Sequence, residues 1–419
     1  MELQLQNQMV LGQLPPTWVL SIPACGTGDL LVAGKTSCPV VAVTRRSDTL
    51  RAEIRFDARP DEPIVLIGQA QAGDAVQVVN TGCRIALYVN DALQDEDWPL
   101  GSADLSRAMC QTGDAAVTLH DDFSFDKAYR AAGREEIVRD LASWRPKGHN
   151  TSVGDCMPFA HDGVYRLFYL FDRRHHRSKW GLGAHQWAQI TTTDFKTWRS
   201  CPLAIPIESQ EEGSICTGSL AWHEGTCYAF YAVRMSDRSP ARLTWATSSD
   251  GVRFNKSGRF VTLSEPYEPV SARDPKVFAD QNGLFHMLVT TSVAGNGSLA
   301  HLVSTDLEQW RQLAPFICLD TREQPECPDY FYYNGFTYLV YSLRGTAHYF
   351  VSRNPFGPWT APSGNQVGPD GLRVPKAAIL QDRLVFAGFV ADGDGYGGRF
   401  ALYDTTGQRD GRLTFTPLT

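Results

Sequence analysis

Alternation of apolar and polar residues marks the first part of the chain as short strands. Arg51 to Phe56 alternates residue by residue, and Ile64 to Ile67 and Ala75 to Val79 are β-branched runs bounded by Gly, Asn and Asp. Arg84 to Val89, an Asn90-Asp91 turn and Leu93 to Pro99 predict a hairpin. Residues 1–115 are therefore expected to form a small β-sandwich. The period then changes. Between Asp126 and Trp144, the apolar residues Ile137, Val138, Leu141 and Trp144 recur at spacings of three and four among Ala, Glu and Arg. This predicts a helix stopped by Pro146-Lys147-Gly148, so residues 116–148 read as a short helical connector.

From residue 149 to residue 419 the pattern repeats itself. A turn followed by an apolar strand occurs at Asp162-Gly163, Glu224-Gly225, Asn282-Gly283 and Asn334-Gly335, and without the glycine at Gln381-Asp382. Between the copies a second signature returns: Thr193-Asp194 leading to Trp198, Ser249-Asp250 to Phe254, Thr305-Asp306 to Trp310, and more loosely Ser352-Arg353-Asn354 to Trp359. Repeats of roughly 50 to 60 residues built only of strand and turn indicate propeller blades. Five copies predict an all-β chain whose residues 149–419 form a five-bladed β-propeller.

Composition narrows the class. The chain is 43% apolar, 11% aromatic and 20% charged, which describes a folded protein and not a disordered one. A net charge of −7 gives no reason to expect nucleic acid or an anionic membrane surface as partner. The apolar runs are strand-sized, so no transmembrane helix is expected. Ten cysteines without a Cys-x-x-Cys pair, behind an N-terminus lacking a basic-then-apolar leader, point to free thiols and a cytoplasmic protein. The histidines show no zinc spacing, and neither metal nor other cofactor is expected. A homo-oligomer stays open.

Three acids stand out against small and apolar neighbours. Asp155 lies eight residues before Gly163, Asp274 nine before Gly283, and Glu326 nine before Gly335. Equivalent positions in blades share radius and height, so the three are expected to converge on the central channel. Crowded carboxylates raise one another's pKa, so one is expected to stay protonated. An ionised and a protonated carboxyl flanking a sugar are the equipment of glycosidic cleavage. The corresponding stretch of the second repeat holds Thr217 and Ser219, and counting back nine residues from Asp382 gives Arg373, a hydrogen-bonding floor for sugar hydroxyls. Trp180, Trp187, Tyr330 and Tyr332 are candidates for an apolar wall. The basic run Arg173 to Lys179 follows the first inner strand, and its Arg174 is the candidate contact for an anionic substituent such as phosphate.

At these residues the chain resembles glycoside hydrolase family 32, the invertase, inulinase and levanase group. The resemblance rests on Arg273-Asp274-Pro275, on Glu326-Cys327-Pro328-Asp329, on Trp180 with His185-Gln186-Trp187, and on Glu212 to Ser219. It implies a retaining exo-glycosidase for fructofuranosides or closely related furanosides, with Asp155 as nucleophile, Glu326 as acid/base, Asp274 as transition-state stabiliser and Arg273 as a binding partner. The partner implied is a small saccharide. An inverting furanosidase like those of family 43, a fructosyltransferase and a non-catalytic sugar-binding propeller are the alternatives. A separation of about 5–5.5 Å between the two working carboxyls marks retention, and about 6.5–9.5 Å marks inversion. The chain departs from the family at Gly154-Asp155-Cys156-Met157-Pro158, where Asn-Asp-Pro-Asn-Gly is usual, and at Phe168-Tyr169-Leu170, where Phe-Tyr-Gln is usual. The hairpin at Arg84 to Pro99 resembles one in laminin-G-like sandwiches, which here would precede the propeller.

Overall fold

The computed structural model describes residues 1–35, 38–132, 136–173, 185–393 and 395–418, and their regular structure is almost entirely β. Two sheets form the N-terminal part. One runs in the order Glu2–Leu5, Val117–His120, Trp18–Ile22, Val76–Asn80, Ile85–Val89, Ala92–Asp97. The other runs Met109–Thr112, Gly28–Lys35, Cys38–Arg46, Thr49–Ile54, Ile64–Gln69. Alternate residues of both enter one core, Leu20, Val78 and Leu87 from the first with Leu31, Val43 and Leu66 from the second. The predicted hairpin pairs Ile85–Val89 with Ala92–Asp97. Its Asn90 and Asp91 both have positive φ (48° and 60°), a conformation that Asn and Asp tolerate and that matches strand twist.

Two expectations are corrected here. The sheet does not end at 115: Val117–His120 pairs with both Glu2–Leu5 and Trp18–Ile22, because Val117 and Leu119 alternate into the core. The helix expected over Asp126 to Trp144 is instead Ser124–Ala132. Beyond it, Ile137–Val138 is extended and pairs with Trp198–Ser200. Val138 and Leu141 are buried in one cluster, with Trp144 packed against it, so their helix-like spacing comes from a bridge and a turn. The β-branched pair favours the extended form.

After residue 150 five antiparallel runs follow, opened by the strands Thr151–His161, Glu212–His223, Arg273–Ala279, Glu326–Tyr333 and Leu372–Leu380. Each opening strand packs beside the next, and the last packs beside the first, so the five close a ring. A single pair, Val153 with Gly398, joins the first and last runs into one sheet. The turn signatures act as the sequence predicts. Asp162, Glu224 and Asn334 take positive φ before a glycine, and Gln381 and Asp382 do so without one. Asp194, Asp250 and Asp306 each accept the backbone N–H groups two and three residues ahead, at 2.8–3.1 Å, which builds the same tight turn three times.

The N-terminal sheets are tied to the ring by buried charge. Asp95 accepts the N–H groups of Ile67 and His149 and pairs with Arg173 at 3.0 Å. Arg84, wholly buried, pairs with Glu96 (2.6 Å) on its own sheet and with Asp126 (2.7 Å) on the helix.

Candidate active site

All five opening strands carry a register shift at one height. Three residues advance on the opening strand while two advance on its neighbour, between Val153 and Cys156, Ile215 and Gly218, Arg273 and Lys276, Glu326 and Asp329, and Arg373 and Lys376. Such a bulge bends the strand and re-aims its side chains. A cavity of about 890 Å³ opens above this level, lined among others by Asp155, Thr217, Arg273, Asp274, Glu326 and Arg373. The three acids therefore meet, but not as repeat-equivalents. Counted through the bulge, Glu326 stands first, with Arg273 and Arg373 as its counterparts; Asp274 stands second, with Cys327 and Val374; Asp155 stands third, with Thr217.

Asp155 is buried and held on both oxygens. The Thr217 hydroxyl donates to Oδ2, and the Tyr396 phenol donates to Oδ1 at 2.5 Å. Burial first, then the Asp155 charge, pushes the Tyr396 phenol well above its ordinary range, so it remains a donor. The Cys327 sulfur lies 3.6 Å from Asp155 Oδ2 and 3.5 Å from Asp274 Oδ2, and its backbone N–H donates to Asp274 Oδ2 at 3.0 Å. Burial first, with Asp274 and Asp155 next, pushes that thiol up as well. Glu326 is half exposed, and Arg273 Nη2 holds its Oε1 at 2.9 Å. Arg273 also donates to Gln324 Oε1 (2.5 Å) and lies 3.8 Å from Asp274. Burial opposes the Arg273 charge, but Asp274 and Glu326 outweigh it and hold the guanidinium above its ordinary pKa.

The fourth bulge position forms a buried layer beneath. Lys276 pairs with Asp329 at 2.5 Å, Asp329 accepts the Ala377 N–H, and Lys376 donates to the Gly218 carbonyl at 2.9 Å.

Of the other candidates, Thr217, Arg273 and Arg373 line the cavity. Ser219 does not: its hydroxyl accepts the Val277 N–H at 2.8 Å and stitches the second run to the third. Trp187 is corrected from wall to core. It is wholly buried, donates its indole N–H to the Cys216 carbonyl, and packs against Phe168 and Tyr231. Tyr330 is corrected as well, since it stacks on Phe278 with centroids 3.7 Å apart and donates to the Pro355 carbonyl. Tyr332 is 64% exposed and does not line the cavity. Trp180 and Arg174 lie outside the described residues. Sequence reasoning missed Tyr396, Cys327 as a contact of two carboxylates, and Arg234 on the cavity wall. A lone aromatic inside Gly393-Asp394-Gly395-Tyr396-Gly397-Gly398 was a signal for the first.

Residues 156–357 match the family model described as glycosyl hydrolases family 32 N-terminal domain. A probable sucrose-6-phosphate hydrolase of Psychromonas ingrahamii is 28% identical over 233 residues, 53% of this chain and 40% of that one. Raffinose invertase of Escherichia coli is 25% identical over 194 residues, 44% of this chain and 40% of that one. These findings support glycoside hydrolase family 32. The chain spans about two fifths of the length of these two relatives. Among solved structures, sucrose-6-phosphate hydrolase from Lactobacillus gasseri superposes with a TM-score of 0.54 at 18% identity, covering 66% of this chain and 64% of that one. Fructan 1-exohydrolase IIa from Cichorium intybus gives 0.54 at 17% identity, with 67% and 61% covered. At these identities the likeness is one of fold.

Proposed function

We propose that the chain is a retaining exo-glycosidase that hydrolyses fructofuranosides, on a five-bladed propeller of residues 149–419 behind a sandwich and a short connector. The ring of five opening strands supports the propeller, and the two N-terminal sheets around one core support the sandwich. Ten free cysteines support a reducing, cytoplasmic setting.

One observation carries the functional reading: carboxylates from three separate runs line one cavity, one clamped, one bonded by a backbone N–H, one half exposed beside an arginine. Those environments suit three roles. Asp155, fixed by two hydroxyl donors, attacks the anomeric carbon. Glu326, facing the open side, gives its proton to the glycosidic oxygen as that bond breaks, which leaves a fructosyl–Asp155 ester. Glu326 then takes a proton from water, the resulting oxygen attacks the anomeric carbon, and the Asp155 carboxylate leaves. The Asp274 side chain nearby offsets charge on the oxocarbenium-like transition state. Arg273 orients Glu326.

Arg234 and Arg373 also line the cavity and have no ion pair among the described residues. Two such guanidiniums favour a phosphorylated saccharide over a neutral one. The test is product analysis on sucrose, sucrose 6-phosphate and inulin- and levan-type oligosaccharides, following the first anomer released by NMR. Fructose released with retained configuration, faster from the phosphorylated sugar, is the expected result. Inverted product overturns the nucleophile role, and no turnover on the panel overturns the activity.

A further inference from the structure

Gly154 is unusual among its counterparts. The second bulge position carries Cys216, Asp274, Cys327 and Val374 in the other runs, and the last three take positive φ (53°, 50° and 38°). Gly154 is not among the positive-φ residues, so the backbone does not call for glycine there. Its neighbour does. A Cβ on Gly154 would lie 2.5 Å from the Tyr396 hydroxyl, 2.6 Å from Cε1 and 2.8 Å from Cζ. The missing side chain is the space that the phenol ring occupies.

The ring is seated by the contact that closes the five runs. Gly398 pairs with Val153, and Gly397 (φ 87°) lies against Ser152 and Asp172, where a Cβ would meet their oxygens at 2.4 and 2.6 Å. Phe389 and His185 flank the phenol with centroids 5.1 and 5.3 Å away, and Asp172 holds His185 at 2.6 Å. From that seat the hydroxyl bonds one residue twice, donating to Asp155 Oδ1 at 2.5 Å and accepting the Asp155 N–H at 2.8 Å. Backbone and carboxylate of Asp155 are thus locked to each other through one oxygen.

We infer that Tyr396 is the positioning residue of this site: admitted by Gly154, it fixes the carboxylate of Asp155 for attack. The inference rests on the reading of Asp155 as nucleophile. It also explains how a site without the family's usual Asn-Asp-Pro-Asn-Gly surroundings can still orient its acid. A phenol delivered from the last run replaces local support.

Three variants test it, with steady-state kinetics on sucrose and sucrose 6-phosphate and thermal melts alongside. Tyr396→Phe keeps the ring and removes one hydroxyl. It is expected to lower kcat about ten- to hundredfold, the loss of a hydrogen bond to a charged group, with KM within about threefold and the melting midpoint within a few degrees. Gly154→Ala displaces the ring and is expected to lose at least as much kcat. Combining it with Tyr396→Phe then costs nothing further, since both act through one contact. A Tyr396→Phe enzyme within about twofold of the parent, a joint collapse of kcat, KM and melting temperature, or multiplicative losses in the double variant overturns the inference. Asp155→Asn separates the two levels. If that variant turns over normally, the nucleophile reading falls; if it is inactive while Tyr396→Phe is normal, only the positioning role falls.

Discussion

Replacing Glu326 by glutamine separates chemistry from stability, because the structure assigns very different magnitudes to the two. The carboxylate is 45% exposed and its partner Arg273 is 28% exposed, at 2.9 Å. An ion pair so open to solvent contributes about 1 kcal/mol or less, and glutamine keeps an oxygen that Arg273 can still meet. Arg273 itself retains Gln324 and the Ser271 carbonyl. The melting midpoint is therefore expected to move by only a few degrees. Loss of a general acid, by contrast, costs about 10²- to 10⁴-fold in rate. The loss in kcat/KM, which reads the fructosylation step, should track the leaving group: near complete on sucrose, whose departing alkoxide needs a proton, and small on 4-nitrophenyl fructofuranoside, whose phenolate does not. With the activated substrate, the fructosyl enzyme accumulates for want of a base, and azide, which needs no deprotonation, restores turnover. The assay is kcat/KM on both substrates, and kcat with and without azide, alongside a melt. Sucrose kcat/KM within tenfold of the parent, or equal kcat/KM losses on both substrates, refutes the assignment of Glu326 as acid.

Other perturbations read the scaffold that holds the site. His301 donates to or accepts from His286 at 2.8 Å, and burial first, then His286, pushes it down to about 4. The unfolded chain binds a proton near 6.5 that the folded ring refuses, so stability falls by up to about 3 kcal/mol as pH drops from about 6.5 to about 4 and is unaffected above. Urea titrations should show a shallower fall for His301→Phe, and equal slopes contradict the reading. Arg84→Met leaves buried Glu96 and Asp126 uncompensated and is expected to cost about 3–5 kcal/mol by urea unfolding; a loss under about 1 kcal/mol contradicts it. Gly398→Ala puts a Cβ 1.9 Å from the Val390 carbonyl oxygen beside the Val153 pair. It should destabilise by about 3 kcal/mol and lower kcat with it, and an unchanged melt sinks that expectation.

What was legible in the sequence was whatever the chain decides locally. Asn90-Asp91 and Asp162-Gly163 shape turns locally, so the residue types alone predicted them; the aspartates at 194, 250 and 306 were legible as a repeat, and each builds the same turn with its own carboxylate. Trp187 and Tyr330 defeated the same approach because an aromatic on a strand fits a core as well as a sugar platform, and only the neighbouring sheet decides. The spacing of Ile137 to Trp144 suits one helical face, yet the tertiary pairing with Trp198–Ser200 overrode it. The glycine-flanked Tyr396 stood out, but its role did not, for a related reason. Its partner Asp155 is 241 positions away, and no periodicity connects them.

The acids converge for a reason that residue counting misses. Offsets from the hairpin turns treat each strand as a uniform ladder, but every opening strand slips by one residue at the bulge. Asp155, Asp274 and Glu326 consequently fall on the third, second and first bulge positions, and on a regular strand consecutive positions would point to opposite faces. Cys216 and Thr217, Arg273 and Asp274, Glu326 and Cys327, and Arg373 and Val374 are adjacent pairs, and both members of each line the cavity. The bulge thus turns successive residues onto one wall, so an acid at any of its three positions reaches the axis. Five copies of such a bulge let the site vary its chemistry run by run while the fourth position, with Lys276, Asp329 and Lys376, holds the ring together beneath it.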